Sequence, residues 1–517
     1  MSILDELRMT LRYTRGLPSF LRHPLTPDAS RQLLRQCMAA RNTSFLTLLE
    51  RGIFRNPQSP YRPLFQHAGI TLADLTQRTN DLGVEGALQS LLDAGLFIQL
   101  AEFKGQRPLD RLGYTAQFKS EDFDNPLVRA QFSGRTGGSS GPARRLLLDL
   151  DLLNHDAACH YHHLLGLDAL QRPYAVWRPV PPDNSGIKKL LMFARLGIPL
   201  ERWFSQSPVD AGKGQWKYFF FTRQTLAFSR LFGRPQPSPI HVPVTEAGRI
   251  AQFLAGMRSQ GRPAYLDTLA GCAVRVCQAA RAADLDISGT LFRVGGEALT
   301  AAKAQAVADA GCRIVCHYSM SELGHVAMAC TDATDIDDVH LLLSKVAVIQ
   351  RADGALLFTS IHPNCPKLML NVETGDTATL ERRTCGCPFG QLGFDLHLHH
   401  IRSYEKLTSE GMHFLGMELT TLLEEVLPRA FGGGPSDYQL MEHEVGGLSR
   451  VALIVSPGVG AIDEPLMLRT ALEFLASHSR GHQLMAKFWQ DGSTLQIRRQ
   501  EPFATKAGKI LPLHIHS

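Results

Sequence analysis

The chain has 517 residues, a formal charge of +5 and 20% charged residues. That length exceeds one ordinary hydrophobic core, so a large domain with at least one smaller companion is expected. The mild charge makes no case for a nucleic-acid or membrane surface, and ten cysteines over this length do not form a disulfide scaffold. No apolar run approaches the roughly 18 residues that cross a bilayer. The opening residues carry the acid pair Asp5 and Glu6 where a secretory leader is basic, so a cytoplasmic location is expected.

In chain order, Arg31 to Leu49 and Leu72 to Leu92 read as amphipathic helices. Thr300 to Ala310 reads as an Ala-rich helix, and Cys312 to Cys316 as a buried strand ending just before Tyr318. Lys345–Gln350 and Ala355–Ile361 flank a hairpin signal at Arg351 to Gly354. Cys37, Cys159, Cys272, Cys277, Cys312 and Cys316 lie in apolar surroundings and read as core. Beyond Gly411, Leu419, Leu422, Leu423, Val426 and Leu427 mark one helix face. Strands at Tyr438–Met441, Val451–Val455 and Leu495–Arg498 and a helix at Leu466–His478 follow. The expected fold class is α/β, with a large multi-layer domain over 1–401 and a small, mobile α+β domain over 402–517.

Six short motifs carry the chemistry. The loop Ser133-Gly134-Arg135-Thr136-Gly137-Gly138-Ser139-Ser140-Gly141-Pro142 can turn several N–H groups and hydroxyls toward one anion; a surface loop has the same composition. Gly295-Gly296-Glu297 lets backbone approach a flat ring, as would any strand-to-helix turn. His317-Tyr318-Ser319-Met320-Ser321-Glu322 follows a buried strand, where open α/β sheets place ligands. There Tyr318 is suited to stack on a base, Ser321 to bond a phosphate and Glu322 to hold Mg²⁺; a solvated turn is the plainer reading. Asp376, after Thr374-Gly375, suits a ribose diol, and Arg402 can oppose it from the domain boundary. Lys509 is a cation able to meet developing phosphoryl charge, although a lysine in a tail is ordinarily just solvated.

Taken together and in this order, the motifs resemble those of the adenylate-forming ligase superfamily, and most of all its phenylacetate–CoA ligase branch. The family's Ser-Gly-Thr-Thr-Gly loop resembles Ser133 to Gly137, its Tyr-Gly-x-Thr-Glu resembles Tyr318 to Glu322, and its Thr-Gly-Asp matches Thr374 to Asp376. Its hinge motif lies over Arg402, Tyr404, Glu405 and Gly411, and its C-terminal Gly-Lys over Gly508-Lys509. The resemblance implies that the 133–142 loop, including Gly134, Thr136, Gly137 and Gly138, holds ATP phosphates. It implies that Gly295, Gly296, Glu297, His317, Tyr318, Ser319 and Ser321 frame the nucleotide, with Glu322 on Mg²⁺ and Asp376 and Arg402 on ribose. It further implies Lys509 as the catalytic lysine and Glu405 as the hinge about which the C-terminal domain turns. Departures are Arg135 in place of a hydroxyl residue, Ser319 in place of glycine, Glu405 in place of aspartate, and no lysine after Pro142.

Cys330, His340, Cys385 and Cys387 have the type and order of a structural Zn²⁺ site, of a kind this branch often carries, with His397, His399 and His400 as other candidate ligands. The reaction the resemblance implies is ATP-dependent adenylation of a carboxylic acid, aromatic by the habit of the branch, then transfer to coenzyme A. Alternatives are transfer to an acyl carrier protein or a nitrogen nucleophile, or a non-catalytic binding protein. His241 and Phe292 are candidate acid-pocket residues or core; such enzymes are commonly homodimers, and the sequence marks no interface.

Overall fold

The computed structural model describes residues 3–105, 107–129, 131–135, 145–181, 183–207, 216–296, 299–403, 416–445, 448–477, 489, 495–504, 510 and 512–515. Its centre is a twelve-stranded mixed sheet. One half is parallel, in the order Pro239–His241, Arg202–Ser205, Tyr174–Trp177, Tyr265–Thr268, Leu291–Val294 and Arg313–Met320. The other half is antiparallel, running through Gly324–Ala329, Val339–Leu341, Leu396–Ser403, Val372–Arg382, Ala355–Ser360 and Val346–Gln350. Arg313–Met320 joins the halves: its first part pairs parallel with Leu291–Val294 and its last part antiparallel with Gly324–Ala329.

Period-two alternation places successive residues on opposite faces, and both faces are packed. Ala175, Trp177, Leu266 and Phe292 join one core with the helices Ala247–Ser259 and Ala270–Ala282. Tyr174, Val176, Tyr265 and Leu291 join a second core, against Leu150–Gly166 and Ser185–Arg195. Strands buried on both faces read as short apolar runs, as parallel strands do.

The second sheet has four strands, ordered Leu495–Arg499, Leu448–Val455, Tyr438–Val445 and Leu513–Ile515. It packs its own core, in which Leu419, Leu422, Leu423 and Leu427 meet Tyr438, Leu440, Leu453 and Met467. Lys303 Nζ forms a buried ion pair with Glu424 at 2.7 Å, and Thr300 donates to the same carboxylate. These contacts tie the C-terminal segment to the helix Ala301–Ala308.

Several expectations need correction. The helix over 31–49 is two helices, Pro27–Ala39 and Arg41–Leu49, because Ala40 leaves helical dihedrals with ψ near 4°. The strand expected to end before Tyr318 runs on to Met320, carried by its antiparallel partner. Cys37 is half-buried rather than core. Among the described residues, no helix is long and apolar enough to cross a membrane.

Candidate active site

The carboxyl ends of the parallel strands gather the residues singled out by the motifs. Leu291–Val294 ends in Gly295 and Gly296; Gly296 has φ +88° and is exposed. A Cβ on Gly295 would stand 2.4 Å from the His317 ring, so glycine alone lets the turn close on that imidazole. Register slips between Tyr318 and Ser319, a bulge of the sort that re-aims side chains beside functional sites.

Tyr318 Oη donates to Asp376 Oδ2 at 2.5 Å, and Thr374 Oγ1 donates to the same oxygen at 3.1 Å. Burial and then the Asp376 charge push the Tyr318 hydroxyl well above its ordinary value, which keeps it a donor. Between Thr374 and Asp376, Gly375 has φ +86°, and a Cβ there would lie 2.8 Å from Leu100. In the ladder Asp376 stands opposite Ser403 and Thr377 opposite Arg402, so the two polar positions occupy neighbouring strands. Ser321 and Glu322 lie in the turn after Met320; Glu322 is buried, and its carbonyl accepts from the Lys367 N–H at 3.2 Å.

Gly295, Gly296, His317, Tyr318, Ser319, Ser321, Glu322 and Asp376 therefore share one end of the sheet. Ser133 and Gly134 sit on the strand Phe132–Arg135, which pairs with Arg145–Leu148. Thr136, Gly137, Gly138, Glu297, Glu405 and Lys509 lie outside the described residues. Of the two candidate pocket residues, Phe292 is fully buried core and His241 is exposed on the outermost parallel strand.

The four candidate metal ligands converge. His340 Nε2 lies 3.0 Å from Cys387 Sγ and 3.4 Å from Cys385 Sγ. Cys385 Sγ is 3.4 Å from Cys387 Sγ and 3.8 Å from Cys330 Sγ. Ligands 2.0–2.3 Å from a tetrahedral zinc stand about 3.3–3.8 Å from one another, so the donor set fits a zinc ion. His340 Nδ1 faces the Phe394 carbonyl at 2.7 Å, which would fix the ring with Nε2 toward the thiols. A Cβ on Gly390 would meet the Cys385 carbonyl at 2.3 Å, so the knuckle requires glycine. His397 also reaches this group, its ring tilted 49° against that of His340 with centroids 4.0 Å apart, while its Nδ1 bonds Asp338 at 2.8 Å. His399 and His400 gather with Asp335 instead.

Sequence reasoning missed a buried polar layer behind the Gly295–Gly296 turn. Asp267 pairs with Arg178 at 2.8 Å, Lys189 at 3.2 Å and Arg293 at 2.6 Å. Arg178 Nη1 also donates to the Gly295 carbonyl at 3.2 Å, and Lys189 Nζ sits 2.9 Å from His325 Nε2. Asp156 adds Lys345 at 2.6 Å and His325 at 3.3 Å. The available signal was charge inside apolar runs: Lys189 before Leu190-Leu191, and Arg293 between Phe292 and Val294.

No family model and no curated protein sequence matches this chain. Among solved structures, it is similar to 2-hydroxyisobutyryl-CoA ligase in the postadenylation state, in complex with R3-HIB-AMP. The identity is 14%, the match covers 95% of this chain and 89% of that one, and the TM-score is 0.51. A weaker similarity, TM-score 0.44 at 11% identity over 96% of this chain and 98% of the other, is to the amide bond synthetase McbA from Marinactinospora thermotolerans. The mixed sheet, the separate four-stranded C-terminal unit and the near full-length match to the first of these agree, and this chain has the fold of that ligase.

Proposed function

We propose that this protein is an AMP-forming ligase, using ATP and Mg²⁺ to activate a carboxylic acid and then passing the acyl group to the thiol of coenzyme A. The observation that carries the reading is the bond from Tyr318 to Asp376 at the carboxyl end of the sheet, beside the exposed Gly296. Open α/β sheets bind ligands at that end.

In the first half-reaction a carboxylate oxygen attacks the α-phosphorus of ATP. The new O–P bond gives acyl-AMP, and the bond to the β-phosphate oxygen breaks to release pyrophosphate. In this reading Asp376 and Arg402 hold ribose, Tyr318 and the Gly295–Gly296 turn frame adenine, and Ser133 to Gly138 receive the β- and γ-phosphates. Glu322 would hold Mg²⁺, which supplies charge neutralisation at the phosphates. Lys509 stabilises the negative charge that develops on the α-phosphoryl group. In the second half-reaction the thiol sulfur attacks the acyl carbon, AMP leaves, and the thiol proton passes to solvent. Rotation of the unit 402–517 about Glu405 would separate the two steps, and it must break the buried Lys303–Glu424 pair.

Cys330, His340, Cys385 and Cys387 would hold a structural zinc: four protein ligands leave no position open for a catalytic water. The resemblance implies an aromatic acid, whereas the residues behind the Gly295–Gly296 turn favour a different class.

The test is pyrophosphate release with ATP and Mg²⁺ across a panel of acids, with and without coenzyme A, and products identified by mass. An acyl-CoA product supports the full reading. Acyl-AMP alone moves the acceptor to a carrier protein or an amine. ATP binding without release on any acid supports a non-catalytic binding protein.

A further inference from the structure

The buried layer behind the turn is unbalanced in charge and in hydrogen bonds. Asp267 is a single carboxylate shared by the guanidinium groups of Arg178 and Arg293. Lys189, whose amine burial and the Arg293 charge pull well below its ordinary value, stands beside them as a third donor. Arg178, Lys189 and Arg293 are all less than a tenth exposed. A buried cation without its own counter-charge is costly, so a site with this excess favours an anion. Among the described residues, Arg293 Nη2 has only the Met328 sulfur, a weak acceptor, and its Nε has no partner. Both ring nitrogens of His160 and of His163, the Tyr265 hydroxyl and His317 Nδ1 are likewise buried without partners among the described residues. Buried polar atoms are rarely left so, and several converging orphans point to a polar occupant.

Register places this layer against the candidate active site. Val176, Asp267, Arg293 and Val315 align across four strands. Two residues further along the same face come Arg178, Gly295 and His317, and the last two are in contact. Arg293 is therefore only ~7 Å behind Gly295 along the strand. His317 spans the gap: its ring touches Gly295 on one side and lies 5.3 Å, centroid to centroid, from His325, the partner of Lys189.

We propose that Arg178, Lys189, Arg293 and His317 receive a second anionic group on the acid, so that the substrate is a short dicarboxylic acid activated at one end. The proposal rests on the adenylation reading and replaces an aromatic acid with a polar one. An aromatic ring in this layer would cover the orphaned atoms without bonding them, at the full cost of their desolvation.

The test compares malonate, succinate and glutarate with propanoate, butanoate, pentanoate and benzoate in pyrophosphate release, for the full chain and for His317→Leu. The expected result is a preference for one diacid over its matched monoacid of ~100-fold or more in kcat/KM, because a site built to bond a polar group rejects the analogue lacking it. In His317→Leu that preference should fall below about tenfold. Lys189→Met is the second variant should His317→Leu fail to fold. Preference for a monoacid or benzoate would overturn the inference while leaving adenylation standing. Release on no acid would overturn adenylation, and calorimetric titration of the diacids into the AMP-loaded protein then decides the anion site. Heat that is abolished in Lys189→Met supports the site; absence of heat, as expected if water fills the layer, overturns it.

Discussion

Tyr318 and Asp376, 58 positions apart, meet in a 2.5 Å hydrogen bond that joins the central strand of the mixed sheet to its antiparallel half. The Asp376 oxygen that accepts this bond also accepts from Thr374, so the two bonds hold the carboxylate in one orientation at the proposed ribose position. Asp376→Ala should therefore raise KM for ATP by about 10- to 100-fold, the loss of one charge-assisted contact. Tyr318→Phe keeps the ring and should cost about tenfold or less. Nucleotide titration and kinetics with ATP varied distinguish the two; equal, negligible effects would remove Asp376 from the nucleotide site.

Gly295→Ala tests the close packing of the turn on His317. The added Cβ would lie 2.4 Å from an imidazole that is itself buried, so ring and turn must separate. Overpacking of this kind costs about 1–3 kcal/mol. Acid-dependent pyrophosphate release should fall together with the melting temperature. Unchanged stability and turnover would show that the turn tolerates a side chain.

Metal analysis checks the Cys–His cluster. Purified protein should contain about one zinc per chain, and Cys385→Ser or Cys387→Ser should lose it together with stability. Strong chelators should lower the melting temperature of the wild type far more than that of either variant. Metal-free protein with the same melting temperature would refute a structural zinc.

Burial of many histidines gives a definite pH dependence. Desolvation depresses His325 and His362 from 6.5 to about 3 and His162 to about 4, and lowers His155, His160, His163 and His317 as well. Between those values and 6.5 the unfolded chain binds more protons than the folded one, so stability rises with pH through this window. The contribution is whole above 6.5 and disappears as pH falls toward 3–4. Melting temperature should drop steeply from pH 7 to pH 5, above the range in which carboxylates titrate. A flat profile down to pH 5 would show that these histidines take up protons in the folded chain as readily as in the unfolded one.

Much of the fold was legible because periodicity survives in elements packed on one face. The stripe from Leu419 to Leu427 and the hairpin at Arg351–Gly354 both stand as read. The strand end at Tyr318 was misjudged because the partner Gly324–Ala329, and not local composition, extends it. At the candidate site, the glycine and acidic motifs were visible since close backbone approach needs glycine and the proposed diol contact needs a carboxylate. The Arg178–Asp267–Arg293 layer was not, because its members lie 26 to 115 positions apart and only sheet register brings them together.

The most direct test of the central claim is acid-dependent exchange of labelled pyrophosphate into ATP, run on the wild type and on Lys509→Ala. Adenylation is reversible before acyl transfer, so the wild type should exchange label only when its acid is present. Lys509→Ala should bind ATP normally yet exchange ~100-fold or more slowly, since the proposed role of the lysine lies mainly in the transition state. Exchange by the variant at the wild-type rate, or binding of ATP with no acid-dependent exchange by the wild type, would contradict the account.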